Sequence, residues 1–507
     1  TGAWYWEYYI GALDANQLPG IVQGFAGTLS VYPGYDTSGH LKGFCYSPSG
    51  YIFGATPAGA SDGGEVASGQ TTYTTGDFIG IASDIPNGTL KFYKNGSLIY
   101  TVSGIGTALD WMPAFCSYNS SDWGVVNFGQ TGTFANAGVT AGGNSDANGI
   151  GDFKYSVPSG YLALCSKNLA DPTIALPEEH FNPTLYTGTG GTQTVSGVGF
   201  QPDAIWIKNR EQADNHMMLD VVRGIGSTTQ DLYPNQNYVQ GASTGNRVSG
   251  VNSDGFTIYG NSGNLNASDE DYASWNWLGG NAISGTGAFT QGSIASTCSR
   301  NTTANFSIVS FTMPSSGQAT VGHGLSVKPK MMITKDLDNT YNWAVFHEDF
   351  CDSTSKFLRL NTNDSPITYS TVWGAALPTT SVFGVTAGGL AAASADVIAY
   401  CFGEVDSYCK IGSYIGNGSA NGPFIFTGFR PAFMIHKQAE VGGGSASWAI
   451  NDDKRGVNGA IGHLAPDTTG TETTGDFIDI LSNGFKIRHS GYSNTNTYTY
   501  IYMAFAE

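Results

Sequence analysis

The sequence predicts an all-β chain, built as tandem antiparallel β-sandwich domains of jelly-roll-like type, and three observations carry that expectation. Glycine supplies 70 of the 507 residues and aromatic residues 13%, while charged residues reach only 12%, about half of what soluble globular chains carry. No long stretch offers Glu, Lys, Arg, Ala and Leu at the 3.6-residue period a surface helix requires. The turn chemistry is that of hairpins: in DIPNGTLKFYKNGSLIY, from Asp84 to Tyr100, the dipeptides Asn87-Gly88 and Asn95-Gly96 bracket an alternating run. Asn-Gly tolerates the positive φ of a two-residue type I′ turn, and the alternation puts Leu90 and Phe92 on one side with Lys91 and Tyr93 on the other. Domains usually hold about 100–150 residues, so roughly three to five are expected here.

The first domain is expected over residues 1–170. YWEYYI at Tyr5, GYIFGAT at Gly50, GDFIGIASDIPNGTLKFYKNG at Gly76 and VVNFGQ at Val125 occur in an order that resembles SPRY domains. That resemblance implies a bent two-sheet sandwich related to concanavalin-like folds, which binds protein or glycan ligands through its loops. DFKYSVPSGYLALCSKNLADPTI, from Asp152, resembles the closing strand and exit of the phage-associated version of the domain. Between them, TFANAGVTAGGNSDANGIG from Thr133 reads as a flexible polar surface loop.

The remainder carries a degenerate internal repeat. GFQPDAIWIKNR at Gly199, GLSVKPKMMITKD at Gly324 and GFRPAFMIHKQ at Gly428 share Gly, a large apolar residue, a Pro and an apolar strand ending in Lys. Each is followed by a second strand, HMMLDVVRG at His216, WAVFHEDF at Trp343 and SWAINDDKRG at Ser447. Each closes on a pair: DGFTIYG with DYASWNWLGG, SVFGVTAG with DVIAYCFGE, and NGFKIRHSG with TYIYMAFAE. A period this long fits tandem sandwiches rather than a solenoid of about 20–50 residues per repeat; the expected domains are 171–300, 301–406 and 407–507. Pro202, Pro329 and Pro431 stand where strands begin, since a missing N–H costs no ladder bond there. The runs AIWI, MMIT and FMIH are continuously apolar, which places them centrally, buried on both faces. WIKNR, DVVRG, WNWLGG and YIYMAFAE resemble a domain that recurs in large structural proteins of marine tailed phages, often after a SPRY-like domain. The second copy departs most, lacking the Arg after its second strand and the tryptophan pair of its last.

Lys and Arg total 22 against 40 Asp and Glu, a formal net charge of −18, which repels phosphate backbones and anionic lipid, so nucleic acid is not an expected partner. No apolar run approaches the roughly 20 residues of a membrane-spanning helix, and no membrane insertion is expected. The seven cysteines, Cys45, Cys116, Cys165, Cys298, Cys351, Cys401 and Cys409, form no CxxC pair and no zinc spacing; they read as free, mostly buried thilols of a chain made in a reducing cytoplasm. No cofactor and no metal are expected.

No catalytic constellation emerges. GASTG, from Gly241 to Gly245, matches G-x-S-x-G but lacks the preceding buried strand and following helix that a nucleophile elbow needs. Asp269, Glu270 and Asp271, the pair Glu178 and Glu179 beside His180, and Glu348 with Asp349 beside His347 are consecutive, and neighbours on a strand point to opposite faces, so they are poorly placed to flank one glycosidic bond. Trp275 and Trp277 share a strand face and read as packing residues. Sugar binding is the better reading, because an aromatic ring stacks on a pyranose while amides and carboxylates bond its hydroxyls. SYNSSDWG, from Ser117, offers Tyr118, Asn119, Asp122 and Trp123 for that role. The expectation is a non-enzymatic surface protein of a tailed bacteriophage virion, a fibre, spike or capsid appendage. Its expected partners are a host-surface glycan or protein and other virion proteins, and it is expected to be a homo-oligomer, a trimer by analogy with phage fibres. The alternatives are a phage glycan depolymerase, and a secreted bacterial adhesin, which would require an export signal upstream of Thr1.

Overall fold

The computed structural model describes residues 2–14, 17–23, 43–54, 64–106, 111–117, 119–135, 137–168, 171–225, 230–242, 247–280, 291–440, 446–491 and 493–507. The chain divides into two compact units, Thr1–Asp171 and Pro172–Glu507, and both are all-β, in sheets that are antiparallel but for one two-residue strand of the first unit.

The N-terminal unit contains β1 (Ala3–Ala12), β2 (Gln17–Gln23), β3 (Gly43–Tyr46), β4 (Ile52–Gly54), β5 (Gly64–Ala67), β6 (Phe78–Asp84), β7 (Thr89–Lys94), β8 (Ser97–Ser103), β9 (Trp111–Ser117), β10 (Trp123–Asn127) and β11 (Leu162–Ala163). One sheet runs β10-β1-β6-β7-β8 and the other β5-β4-β3-β2-β9. Alternation along β1 sets the sandwich: Trp6, Tyr8 and Ile10 point inward, to meet Ile21, Phe44, Tyr46, Ile79, Leu90 and Phe92 in one core. Tyr5, Glu7 and Tyr9 take the opposite face. Leu90 and Phe92 are buried as the alternation predicts, and Asn95 and Gly96 take φ of 49° and 81°, as a type I′ turn requires. The first Asn-Gly behaves differently. Gly88 N–H donates to Ile85 C=O at 2.9 Å, closing a four-residue turn, because Pro86 fixes a negative φ inside it and the Asp84 carboxylate accepts from Asn87 N and Nδ2.

The segment expected to be a flexible loop is anchored instead. Phe134 is fully buried, and the Asp146 carboxylate accepts from the backbone amides of Asn148, Ile150 and Ala163. Phe153, Tyr161 and Ala163 then pack on Tyr5 and Ala82 to make a second small core on the outer face of β1 and β6. β11 runs parallel to Trp4–Tyr5. Glu7, wholly buried, fastens this cover: its carboxylate accepts from Lys154 N (2.8 Å), Tyr155 N (2.9 Å) and the Tyr5 hydroxyl (3.0 Å).

In the C-terminal unit each repeat forms the same four-strand order. The first copy runs Phe181–Thr187, Asp271–Trp277, Ala204–Asn209, Met217–Asp220; the second contains Phe306–Thr312, Asp396–Phe402, Met331–Asp336, Ala344–His347; the third runs Cys409–Ile415, Thr499–Ala506, Pro431–Gln438, Ala449–Asp452. The apolar runs are central and buried along their whole length. Gly199, Gly324 and Gly428 all take positive φ, 87°, 76° and 89°, which accounts for the glycine that opens each copy. Strand Ser296–Asn301 spans the expected boundary at 300/301 and pairs with Phe306–Thr312, in the second copy's sheet.

The copies keep separate sheets but share a core. Along Ala204–Asn209, Ile205 and Ile207 face a cluster private to the first copy while Ala204 and Trp206 join a cluster drawn from all three. Likewise Met434 faces the third copy's own cluster, and Phe433 and Ile435 the shared one. Burial on both faces of each sheet, expected from the apolar runs, is thus supplied on one side by a neighbouring repeat. At the centre Trp277, Phe402 and Phe505, which occupy equivalent positions, form a near-equilateral triangle with ring centroids 6.3, 6.2 and 6.1 Å apart. The copies therefore stand in an approximately threefold ring.

Polar contacts close that ring through Asp220, His347 and Asp452, which occupy equivalent positions. The Tyr400 hydroxyl of copy two donates to Asp220 of copy one at 2.7 Å, and Trp275 Nε1 of copy one to Asp452 of copy three at 2.9 Å. His347 Nε2 of copy two lies 3.3 Å from the Tyr502 carbonyl of copy three. A second ring is formed by the residues that precede each second strand: His216 Nε2 lies 3.1 Å from Ala465 O, Trp343 Nε1 donates to Gln236 O at 3.0 Å, and Trp448 Nε1 to Arg359 O at 2.7 Å. Asp220 and Asp452 are each held by the arginine three residues on, Arg223 and Arg455, both at 2.6 Å. The second copy has His347 at that position and no arginine, as its divergent sequence suggested. The lysines ending the three apolar runs are buried as well, and donate only to backbone carbonyls: Lys208 to Gln212 (3.0 Å), Lys335 to Asn339 (3.3 Å), Lys437 to Asn363 (3.3 Å). Burial brings each ammonium down to about 8.

Candidate functional site

The sugar-binding expectation rests on the connection between β9 and β10. Tyr118 lies outside the described residues. Asn119, Asp122 and Trp123 are brought together, but with different parts to play. The Asp122 carboxylate accepts from Asp14 N at 2.5 Å, and Asp14 in turn accepts from Ser121 Oγ (2.9 Å) and Asn119 Nδ2 (3.4 Å). Asp122 N–H donates to Asn119 C=O at 3.1 Å, closing the turn. Two of the residues expected to bind ligand thus spend hydrogen bonds on pinning their own loop to the end of β1.

Trp123 is the residue this loop presents, with 47% of its surface exposed. Its ring lies across Gly11, where an added Cβ would fall 2.2 Å from the indole; only glycine leaves room for that seat. Beside it on the same outer face, Tyr9 stands 6.2 Å away at 66°. Tyr9 also packs on Phe78 at 5.0 Å, and the Lys154 ammonium lies 5.7 Å above the Phe78 ring. Trp123 and the half-buried Tyr9 therefore form a short aromatic row over β10 and β1, backed by the buried Phe78 of β6 and edged by the exposed Asn119. Such a row can stack against an apolar ligand face while its polar margin bonds hydroxyls. Tyr9 and Gly11 were not among the residues singled out from sequence. Their signal was the parity of β1, which puts Tyr5, Glu7, Tyr9 and Gly11 on the face opposite Trp6, Tyr8 and Ile10.

The acidic candidates do not converge. Asp269 sits at φ 65° in a turn, Glu270 accepts from Asn209 Nδ2 at 2.5 Å, and Asp271 from Thr187 Oγ1 at 2.7 Å. Glu348 pairs with Lys328 at 2.6 Å and Lys330 at 3.6 Å, while His347 is buried between copies. Glu178 and Glu179 lie in a single 3-10 turn, and His180 Nδ1 lies 2.9 Å from Asn301 Nδ2. A hollow of about 410 Å³ is lined by Glu178, Asn182, Lys454 and Glu507 among others, but Glu507 is paired with Arg430. Ser243 to Gly245 of the GASTG motif lie outside the described residues. Among the described residues no group of three or more His, Cys, Asp or Glu is placed to hold a metal ion, and no helix is long and apolar enough to cross a membrane. All seven cysteines are free thiols, five of them buried.

Comparison with known proteins agrees with the two-unit division. The SPRY domain family matches residues 3–131. No curated protein matches the chain. Among solved structures, a mutant of the NanB sialidase from Streptococcus pneumoniae aligns over 96% of this chain and 71% of its own, at 10% identity and a TM-score of 0.17. The same sialidase in complex with 2-[(3-chlorobenzyl)ammonio]ethanesulfonate gives 95%, 71%, 10% and 0.17, and likenesses this slight bear on neither fold nor activity. The family described as a domain of unknown function, DUF7483, matches residues 176–507, well over half of the sequence, so the chain belongs to that family and bears a SPRY domain ahead of it.

Proposed function

We propose that this chain is a binding and display protein of a tailed-phage virion surface, whose N-terminal unit takes a host-surface glycan on the Trp123–Tyr9 row while the C-terminal unit serves as a rigid scaffold. The observation that carries the reading is the large exposed indole of Trp123, seated on Gly11 and held by a loop braced through Asp14 and Asp122. About half of the Trp123 surface stays in water on a loop braced by its own hydrogen bonds, which leaves that half of the indole free to meet a ligand. SPRY domains bind protein or carbohydrate, which agrees with a ligand surface in this unit. The phage setting is supported by the resemblance of the SPRY-then-repeat order to marine phage structural proteins. Other virion proteins would be its neighbours there.

The test is direct: purified protein is applied to an array of bacterial surface polysaccharides, beside Trp123→Ala and Tyr9→Ala. Binding to a defined glycan that falls by about two- to tenfold in Trp123→Ala supports the reading, since stacking of this kind contributes about 0.5–1.5 kcal/mol. Binding that Trp123→Ala leaves unchanged would remove the site. Release of reducing ends from the same polysaccharides would replace binding by cleavage. Immunogold labelling of intact particles decides the virion assignment.

A further inference from the structure

The three repeats differ in how they treat one equivalent sheet edge. The strands Gln193–Ser196, Gln318–Gly322 and Phe424–Phe426 correspond, since Val195, Val321 and Ile425 each stand opposite a phenylalanine, Phe256, Phe383 and Phe485. In the first copy the exposed residues of this strand are the polar Thr194 and Ser196. In the second, the chain covers the edge itself: Ser293 N–H donates to Thr320 C=O at 2.9 Å, Thr320 N–H donates to Ser293 Oγ at 2.8 Å, and Ile294 bridges Val321 in parallel. Among the described residues the third copy's strand is at the edge of its sheet, paired with Gly484–Ile487 alone, and it exposes Phe424 (40%) and Phe426 (63%). Ile487 N–H donates to Pro423 C=O and Thr427 N–H to Asn483 C=O, so residues 423, 425 and 427 face inward and the amides of Phe424 and Phe426 turn outward.

We propose that this edge pairs with the same strand of a second copy of the chain, antiparallel, about a twofold axis at Ile425. Phe-Ile-Phe reads the same in both directions, so the pairing sets each Phe424 against Phe426 of the other copy. The outward amides then form hydrogen-bonded pairs, with the rings as cross-strand aromatic contacts. The lateral row agrees: Asp479 neighbours Lys486, Lys486 neighbours Phe424, and Gly484 and Leu481 follow beyond Phe426, so no charge of one copy meets a charge of the other. A twofold closure uses one patch twice and covers this edge in both copies. It also replaces the trimer expected by analogy, because the threefold arrangement is already complete within one chain.

Sedimentation velocity of the full chain over about 1–100 µM tests the pairing, because a dimer forms by mass action. The wild type is expected to shift from one chain to two. Phe426→Pro removes only an outward N–H, and Phe426→Lys places a charge beside the axis; each is expected to weaken the dimer on the order of tenfold or more, with an unchanged circular dichroism spectrum and melting midpoint. A wild type that stays monomeric throughout overturns the proposal, as does a dimer that both variants form equally well. A monomeric wild type that takes up a fluorescent peptide copying Gln291–Ser296 overturns it too, in favour of a foreign strand.

Discussion

The two units use the same kind of strand to opposite ends. In β1 of the N-terminal unit, aromatic residues on alternate positions serve a core on one side and, at Tyr9, flank the exposed Trp123 on the other. In the C-terminal unit the strand Asp271–Trp277 carries Trp275 and Trp277 at the same spacing, yet both are buried, at 0% and 2% exposure. The difference lies in what covers the outer face. The N-terminal sheet is covered where Glu7 ties down residues 153–163 and where Phe134 packs on Tyr9 and Phe78, and beyond that cover Trp123 meets solvent. Each C-terminal sheet has a neighbouring repeat over it. A tryptophan on a strand thus reports a covered or an open face according to the next layer of the fold, which spacing alone does not specify.

The contrast is tested most severely at Trp277. Trp277→Ala is expected to cost about 3–5 kcal/mol, because it opens a cavity where three repeats meet. In a urea titration followed by tryptophan fluorescence, the loss should fall on the C-terminal unit's transition and leave the N-terminal one in place. A cost below about 1 kcal/mol would mean that the triangle is not where the three repeats gain their joint stability.

Much of this was legible in the sequence, and the boundary of legibility is physical. The hairpin at Asn95-Gly96, the threefold repetition, the central position of AIWI, MMIT and FMIH and the divergence of the second copy all follow from local pattern. Fusion of the three cores does not, since a strand buried on both faces reads alike whether the second layer comes from its own domain or from the next. The lysine ending each run was visible as a repeated residue, but its burial depends on carbonyls supplied by distant loops. At the candidate site, Trp123 and Asp122 were adjacent in sequence and easy to find. Tyr9 and Gly11 reach it through pairing of β1 with β10, which no spacing near Trp123 discloses.

The buried lysines give the next effect in size. Their folded-state value of about 8 lies below the ordinary 10.5, so above pH 8 the unfolded chain binds more protons than the folded one, and stability contributed by these groups rises with pH. The rise is at most about 1.4 kcal/mol per pH unit for each lysine. Buried thiols such as Cys401 and buried tyrosines such as Tyr400 are pushed upward by burial and act in the opposite sense, above about pH 9 and 10. The readout is therefore the difference between wild type and Lys335→Met from pH 7 to 9. Wild type should gain on the variant as pH rises, and a constant gap would show that Lys335 titrates normally. Tyr400→Phe, which deletes one hydrogen bond of the polar ring while Arg223 still holds Asp220, is expected to cost about 1 kcal/mol.

The smallest stability effect is expected where the proposed binding effect is large. Trp123 covers Gly11 and touches Tyr9, but close to half of its surface is in water, so Trp123→Ala should change the N-terminal unit's unfolding free energy by about 0.5 kcal/mol or less. Its inward counterpart Trp6, at 1% exposure in the sandwich core, should cost about 3–5 kcal/mol on the same substitution. The pair shares a unit, a sheet and a residue type and differs in which face of the sheet it occupies. If Trp123→Ala proved as costly as Trp6→Ala, the indole would be serving the fold, and the aromatic row would lose its standing as a surface held out for a ligand.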